Sequence, residues 1–94
     1  MNAKMNKWCE WIKETCPDKL VGKYRKILRE SGFKIQSEQY CFFEPFGFTA
    51  LFLLSESHFA IHTFPEENKS YLELSSCVDK PFENFIKKYM EEKE

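Results

Sequence analysis

The sequence predicts an α+β fold, a two-layer α/β sandwich in which an antiparallel sheet carries helices on one face. Three observations predict it. One segment in the first third and one at the C-terminal end carry apolar residues at helical spacing. The chain between them breaks into short β-prone pieces. Pro and Gly separate those pieces, as they do at turns. Helices flanking a run of strands pack as two layers around one core.

The first helix is expected over 18–31, where Leu20, Val21, Tyr24, Ile27 and Leu28 form one stripe. Pro17 suits its first turn and Gly32 its left-handed exit. A second helix should follow Asp79, read as its cap, with Pro81 in the first turn. Its stripe is Phe82, Phe85, Ile86, Tyr89 and Met90. Between them, residues 33–43 alternate loosely and stop before Pro45 and Gly47. Residues 48–54 form an apolar run suited to a central strand. Residues 59–64 are short and β-prone, stopped by Pro65, and 66–69 read as a turn. The segment 71–77 places Leu72 and Leu74 on one face and Tyr71, Glu73 and Ser75 on the other. The opening stretch fits either a helix through Met5, Trp8, Cys9 and Ile12 or a short strand over 8–12. Three or four strands are therefore expected, with a charged tail at 91–94 that frays.

Composition narrows the function. A chain of 94 residues fits one domain, and a 43% apolar share with ten Phe builds a core without metal or disulfide staples. The charges, 14 basic against 15 acidic, leave −1. Such a balance offers no basic stripe for nucleic acid. No apolar run approaches the ~20 residues of a membrane span. Residues 1–7 lack the apolar stretch of a signal peptide, so the reading is cytoplasmic. Cys9, Cys16, Cys41 and Cys77 contain no C-x-x-C pair, and most are expected to be free, buried thiols.

Both histidines lie in Ser55-Glu56-Ser57-His58-Phe59-Ala60-Ile61-His62-Thr63-Phe64-Pro65-Glu66. On a helix, His58 and His62 would share a face and could grip zinc. On a strand they stand ~13 Å apart, too far for ligands at ~2 Å from one ion. No metal is expected. A hydrolase triad of Ser57, His62 and Glu66 or Glu73 lacks the G-x-S-x-G elbow. By spacing alone, a polar strand edge with two ordinary histidines explains the segment better.

This segment resembles the self-processing site of the prokaryotic S-adenosylmethionine decarboxylase family. That family carries E-S-H-x-x-I-H-T-W-P-E, and only Phe64 departs from it here. Cys77 follows His62 by the family's interval to its catalytic cysteine. Phe43, Pro45 and Gly47 match an F-x-P-x-G element, and Cys16-Pro17-Asp18 stands where the family starts its first helix. The resemblance covers roughly residues 8–90.

The resemblance implies a single domain, 1–94, cut autocatalytically between Glu56 and Ser57 into 1–56 and 57–94. Ser57 would attack the Glu56 carbonyl, converting the peptide to an ester. His62 would then take the α-proton of residue 57, and elimination and hydrolysis would leave a covalent pyruvoyl cofactor that forms a Schiff base with substrate. Thr49 stands where the family has a serine that supports processing. Cys77 is implied as the proton donor in decarboxylation, a task for which a thiol suits neutral pH. Phe43 would stack the substrate's adenine and Glu66 bind its ribose, with Tyr40 a weaker aromatic candidate. The implied partners are a small-molecule substrate and a second copy in a homodimer. Because residues 57 and 62 are five apart, a straight strand would point them to opposite faces. The backbone near Ser57 is therefore expected to be irregular.

Departures gather around the substrate pocket. Cys41 stands where the family has His, Trp8 and Trp11 replace the opening His and aliphatics, and Ser70 and Tyr71 replace small residues. Decarboxylation of arginine or ornithine by the same cofactor, and a non-catalytic regulatory paralogue, are the rival readings.

Overall fold

A computed structural model describes residues 3–93. The elements run β1 (Asn6–Ile12), α1 (Pro17–Ser31), β2 (Ile35–Phe43), β3 (Gly47–Leu54), β4 (Ser57–Phe64), a 3₁₀ turn (Pro65–Glu67), β5 (Lys69–Ser76) and α2 (Asp79–Glu92). All neighbouring strands are antiparallel, in the order β1-β5-β4-β3-β2. The expected two-layer architecture holds, with five strands instead of three or four. The ambiguous opening segment is the fifth. It zips along β5 from Asn6 opposite Ser76 to Ile12 opposite Ser70. Of the tail expected to fray, residues 91 and 92 close α2, and Glu94 lies outside the described residues.

Period-2 alternation divides the sheet. Ala50, Phe52, Leu54, Phe59, Ile61, Leu72 and Leu74 are buried toward the helices. α1 returns Leu20, Tyr24, Ile27 and Leu28, and α2 returns Phe85 and Tyr89. Each Leu, Ile or Phe among them contributes about 1.5–3 kcal/mol by leaving water. Phe59 sits at the centre, stacked on Tyr24 at 5.5 Å and in edge contact with Phe52 at 5.7 Å. That packing fixes β4 two residues beyond Ser57. The opposite face has no helix. It exposes Leu51, Leu53 (52% accessible) and Trp11 beside Thr49, His58, His62 and Tyr71. Among the described residues, no helix is long and apolar enough to cross a membrane.

Helix ends show where local rules held and where they yielded. Pro17 opens α1, and Gly32 closes it at φ 109°, its N–H donating to the Arg29 carbonyl. Asp79 does not cap α2; Val78 occupies that position, and no side chain caps it. The Asp79 carboxylate instead accepts from the Asn6 amide at 2.9 Å and pairs with Lys4 at 3.3 Å. These partners tie the start of α2 to β1. The cysteines depart from expectation too. Cys9 and Cys41 are exposed, on the helix-free face, and Cys16 and Cys77 are half-buried.

Arg25 of α1 clamps β2 by donating Nε and Nη2 to the two Glu38 oxygens at 2.8 and 2.7 Å. Tyr40 donates to the same carboxylate. Arg25 holds the Glu38 carboxyl below its ordinary value of 4.5. Its stabilising contribution is therefore complete above that value and is lost as pH falls through the depressed one. Arg25→Ala should cost about 1.5 kcal/mol at pH 7, tempered by the exposure of the guanidinium. Urea unfolding should show the gap to wild type narrowing at pH 3.

Candidate active site

The β3–β4 connection has two residues, Ser55 and Glu56, between the paired Leu54 and Ser57. Such tight hairpins place a residue at positive φ, which glycine or asparagine usually supplies. Here Glu56 takes it at φ 60°. A left-handed conformation costs a residue with a Cβ about 1–2 kcal/mol. The irregular junction expected near Ser57 therefore exists, but it is confined to Glu56. β4 is regular from Ser57 onward.

The carbonyl of this strained residue has two donors. Cys77 Sγ–H donates to the Glu56 carbonyl oxygen at 3.1 Å, and the Cys77 backbone N–H donates at 3.4 Å. The same thiol lies 3.4 Å from Glu56 Oε1. Loss of solvent around the sulfur, then the adjoining carboxylate, pushes the Cys77 thiol above its ordinary value. It therefore keeps its proton at neutral pH. Donors aimed at a carbonyl oxygen polarise the carbon for attack and stabilise the oxyanion that follows.

Ser57 follows directly. It is 6% accessible, and its hydroxyl donates to Ser76 Oγ at 2.7 Å. Ser76, fully buried, accepts the Val78 N–H at 3.1 Å and donates to the Val78 carbonyl at 3.2 Å. Glu56, Ser57, Ser76 and Cys77 thus form one cluster at one end of the sheet. The sequence reading missed Ser76. Its only sequence signal was a small hydroxyl residue beside Cys77, which no spacing rule marks.

The other expected residues lie elsewhere. His62 is five residues along β4, a rise of ~16 Å, and on the helix-free face, whereas Ser57 faces the helices. Thr49 stands opposite His62, with Thr49 Oγ1 3.0 Å from His62 Nδ1. The His62 ring stacks on Tyr71 at 6.4 Å and 24°. A side-chain hydrogen bond with Cys9, then loss of solvent, pushes the Tyr71 phenol up to about 12, so that ring is neutral. Within one chain, then, neither Thr49 nor His62 reaches the Glu56–Ser57 bond. The strand does not bend to bring them, because its ladders to β3 and β5 run unbroken. Phe43, 53% accessible at the end of β2, and Glu66 in the 3₁₀ turn lie at the His62 end. Two half-sites therefore occupy opposite ends and opposite faces of the sheet. No cluster of three or more His, Cys, Asp or Glu side chains suited to a metal forms among the described residues.

Residues 13–94 match the family model described as S-adenosylmethionine decarboxylase. The chain is 51% identical over 35 residues to S-adenosylmethionine decarboxylase proenzyme 2 of Bacillus cereus, covering 37% of this chain and 28% of that protein. It is 38% identical over 55 residues to the Archaeoglobus fulgidus proenzyme, covering 53% and 49%. It is 28% identical over 72 residues to the Pyrococcus abyssi proenzyme, covering 69% and 52%. The chain thus spans from about a quarter to about half the length of these relatives. In fold it is similar to the adenosylmethionine decarboxylase of Aquifex aeolicus, with a TM-score of 0.62 and 22% identity over 93% of this chain and 81% of that one. With 13–94 matched by the family model and the expected sheet beneath it, the chain belongs to the S-adenosylmethionine decarboxylase family.

Proposed function

We propose that the chain is a proenzyme that cuts itself between Glu56 and Ser57, giving 1–56 and 57–94, and then decarboxylates S-adenosylmethionine. The observation that carries this reading is the Glu56 carbonyl, strained at φ 60° and held by two Cys77 donors next to the buried Ser57 hydroxyl.

In processing, the Ser57 Oγ forms a bond to the Glu56 carbonyl carbon, and the carbon–nitrogen bond breaks. The serine proton passes to the departing nitrogen, leaving an ester and a free amine. Cys77 stabilises the oxyanion between those states. His62 then takes the Cα proton of residue 57, and Glu56 leaves as a carboxylate. Water replaces the nitrogen of the resulting dehydroalanine and releases ammonia. The residues present fit the pyruvoyl group this leaves, because the new chain start opens β4 beside Cys77. A pyruvoyl group supplies a ketone that withdraws electrons as carbon dioxide departs. Cys77, protonated at neutral pH, delivers the proton that replaces it.

The separation of the half-sites supports a homodimer. Two copies packed through their helix-free faces, strands running in opposite senses, would bring the His62 and Thr49 end of one against the Glu56–Ser57 end of the other. Exposed Leu51, Leu53 and Trp11 give that face the apolar character of an interface. Phe43 and Glu66 would then reach the same bond from the partner, to stack the adenine and bind the ribose. The free thiols suit a cytoplasmic setting.

Denaturing mass spectrometry tests the cut, and carbon dioxide release from carboxyl-labelled S-adenosylmethionine tests the substrate. Two fragments, the smaller lacking a free amine, and no release from arginine or ornithine are expected. An uncut chain that still decarboxylates would overturn the proposal. A stable monomer in light scattering would overturn the dimer.

A further inference from the structure

The geometry points to Ser76 as the positioning residue for the Ser57 hydroxyl in self-cleavage, an inference that rests on the proposed processing of the Glu56–Ser57 bond. In an isolated strand a serine hydroxyl rotates freely among three staggered positions. At Ser57 one position is selected. The proton points at Ser76 Oγ, 2.7 Å away across the β4–β5 ladder.

Ser76 is itself fixed. It is fully buried, opposite Ser57 in the register, and Val78 holds it by both of its backbone groups. The Val78 N–H occupies one lone pair of Ser76 Oγ, and the Val78 carbonyl receives its proton. The lone pair left over receives the Ser57 proton. With that proton engaged, the free lone pairs of Ser57 Oγ are the ones not facing Ser76, so they are available to the Glu56 carbonyl.

A serine nucleophile needs a group to receive its proton. His62 of the same chain is on the other face of the sheet. The oxygen the hydroxyl engages is that of Ser76, whose own proton is held by the Val78 carbonyl, so Ser76 orients the hydroxyl while the proton goes to the departing nitrogen of residue 57. Once Ser57 has become a chain-terminal ketone the hydroxyl no longer exists. Ser76 therefore serves maturation and has no matching bond to make during turnover.

That asymmetry separates positioning from general support of the fold. The test follows cleavage of freshly translated wild type, Ser76→Ala and Ser76→Thr by denaturing gel, then measures turnover per pyruvoyl group in the matured fraction. Ser76→Ala should lengthen the cleavage half-time at least tenfold, Ser76→Thr should restore it to within about threefold of wild type, and turnover per cofactor should stay within twofold in both. Cleavage of Ser76→Ala at the wild-type rate, or turnover falling by the same factor as cleavage, would overturn the assignment. Should Ser76→Ala fail to fold, Ser76→Cys keeps the volume, weakens the hydrogen bond and is read by the same criteria. If wild type itself stays uncut, the proposed processing fails instead; if wild type matures and both variants match it, only Ser76 is refuted.

Discussion

A His62→Ala chain purified alone stays essentially uncut, and mixing it with a Ser57→Ala chain starts the cut. General-base groups contribute about 10²–10⁴-fold, so loss of the imidazole should slow chain scission by that range. The rescue is the more telling result. Each variant carries what the other lacks, yet His62 lies ~16 Å along the strand from Ser57 and on the opposite face. Only a neighbouring copy can bring the two together. Under conditions of subunit exchange, random pairing in a two-fold dimer places about half of the His62→Ala chains beside a Ser57→Ala partner. That half should be cleaved. A mixture that stays uncut while wild type matures would show that His62 acts within its own chain, after a rearrangement of β4. The stalled variant should also be cut at 56–57 by hydroxylamine, because the ester forms before the proton is removed.

Cys77 should yield the second large effect, and a split one. Cys77→Ala removes the Sγ–H donor from the Glu56 carbonyl but leaves the backbone N–H. Removal of an oxyanion donor costs about 10²–10³-fold, and less, nearer tenfold, for so weak a donor as a thiol. Decarboxylation by whatever matures should fall about 10²–10⁴-fold, because the proposed proton donor is gone. Cys77→Ser separates the tasks. Its hydroxyl still donates to the carbonyl, so cleavage should recover. A hydroxyl is a much weaker acid than a thiol, so turnover should not. Burial and the Glu56 carboxylate raise this thiol. Its protonated form therefore persists above the ordinary value of 9.0, and alkylation of Cys77 in an uncleavable Ser57→Ala chain should accelerate only beyond that pH. Peptide mass mapping resolves it from the other three cysteines. Rapid alkylation at pH 7, or equal losses of cleavage and turnover in Cys77→Ser, would refute the two roles.

Much of this was legible from the residues. The helices could be read because Leu20, Tyr24, Ile27 and Leu28, and later Phe85 and Tyr89, recur at the helical period and are buried as that period requires. β1 was ambiguous because Trp8 and Ile12, four apart, share a face in a helix and in a strand alike. Only the ladder to β5, more than fifty residues away, decides it. Asp79 looked like a cap, but Asn6 and Lys4 claim its carboxylate, and neither is near it in sequence. The thiols expected in the core lie outside it, because average burial of cysteine says nothing about a particular strand face. At the site, the motif residues Glu56, Ser57 and Cys77 do come together. The five-residue spacing of Ser57 and His62 was rightly troubling, yet the backbone does not bend to resolve it. Ser76 could not be found from sequence, since its importance comes from the cross-strand register alone.

The β3–β4 hairpin, where the cut is proposed, joins two interior strands of the sheet. A cut between β3 and β4 would leave β1, β2 and β3 on one polypeptide and β4 and β5 on the other. In the sheet, β5 and β4 lie between β1 and β3. The 57–94 product would be the missing interior of the 1–56 product, whose β1 would otherwise stand apart from its β3–β2 pair. The precursor can find its shape as one molecule, whereas a mature enzyme once denatured would have to recover it by collision of two strangers. Its recovery would slow on dilution, and its midpoint of thermal unfolding would depend on protein concentration. Maturation would thus convert a reversible folder into a protein that folds well only once.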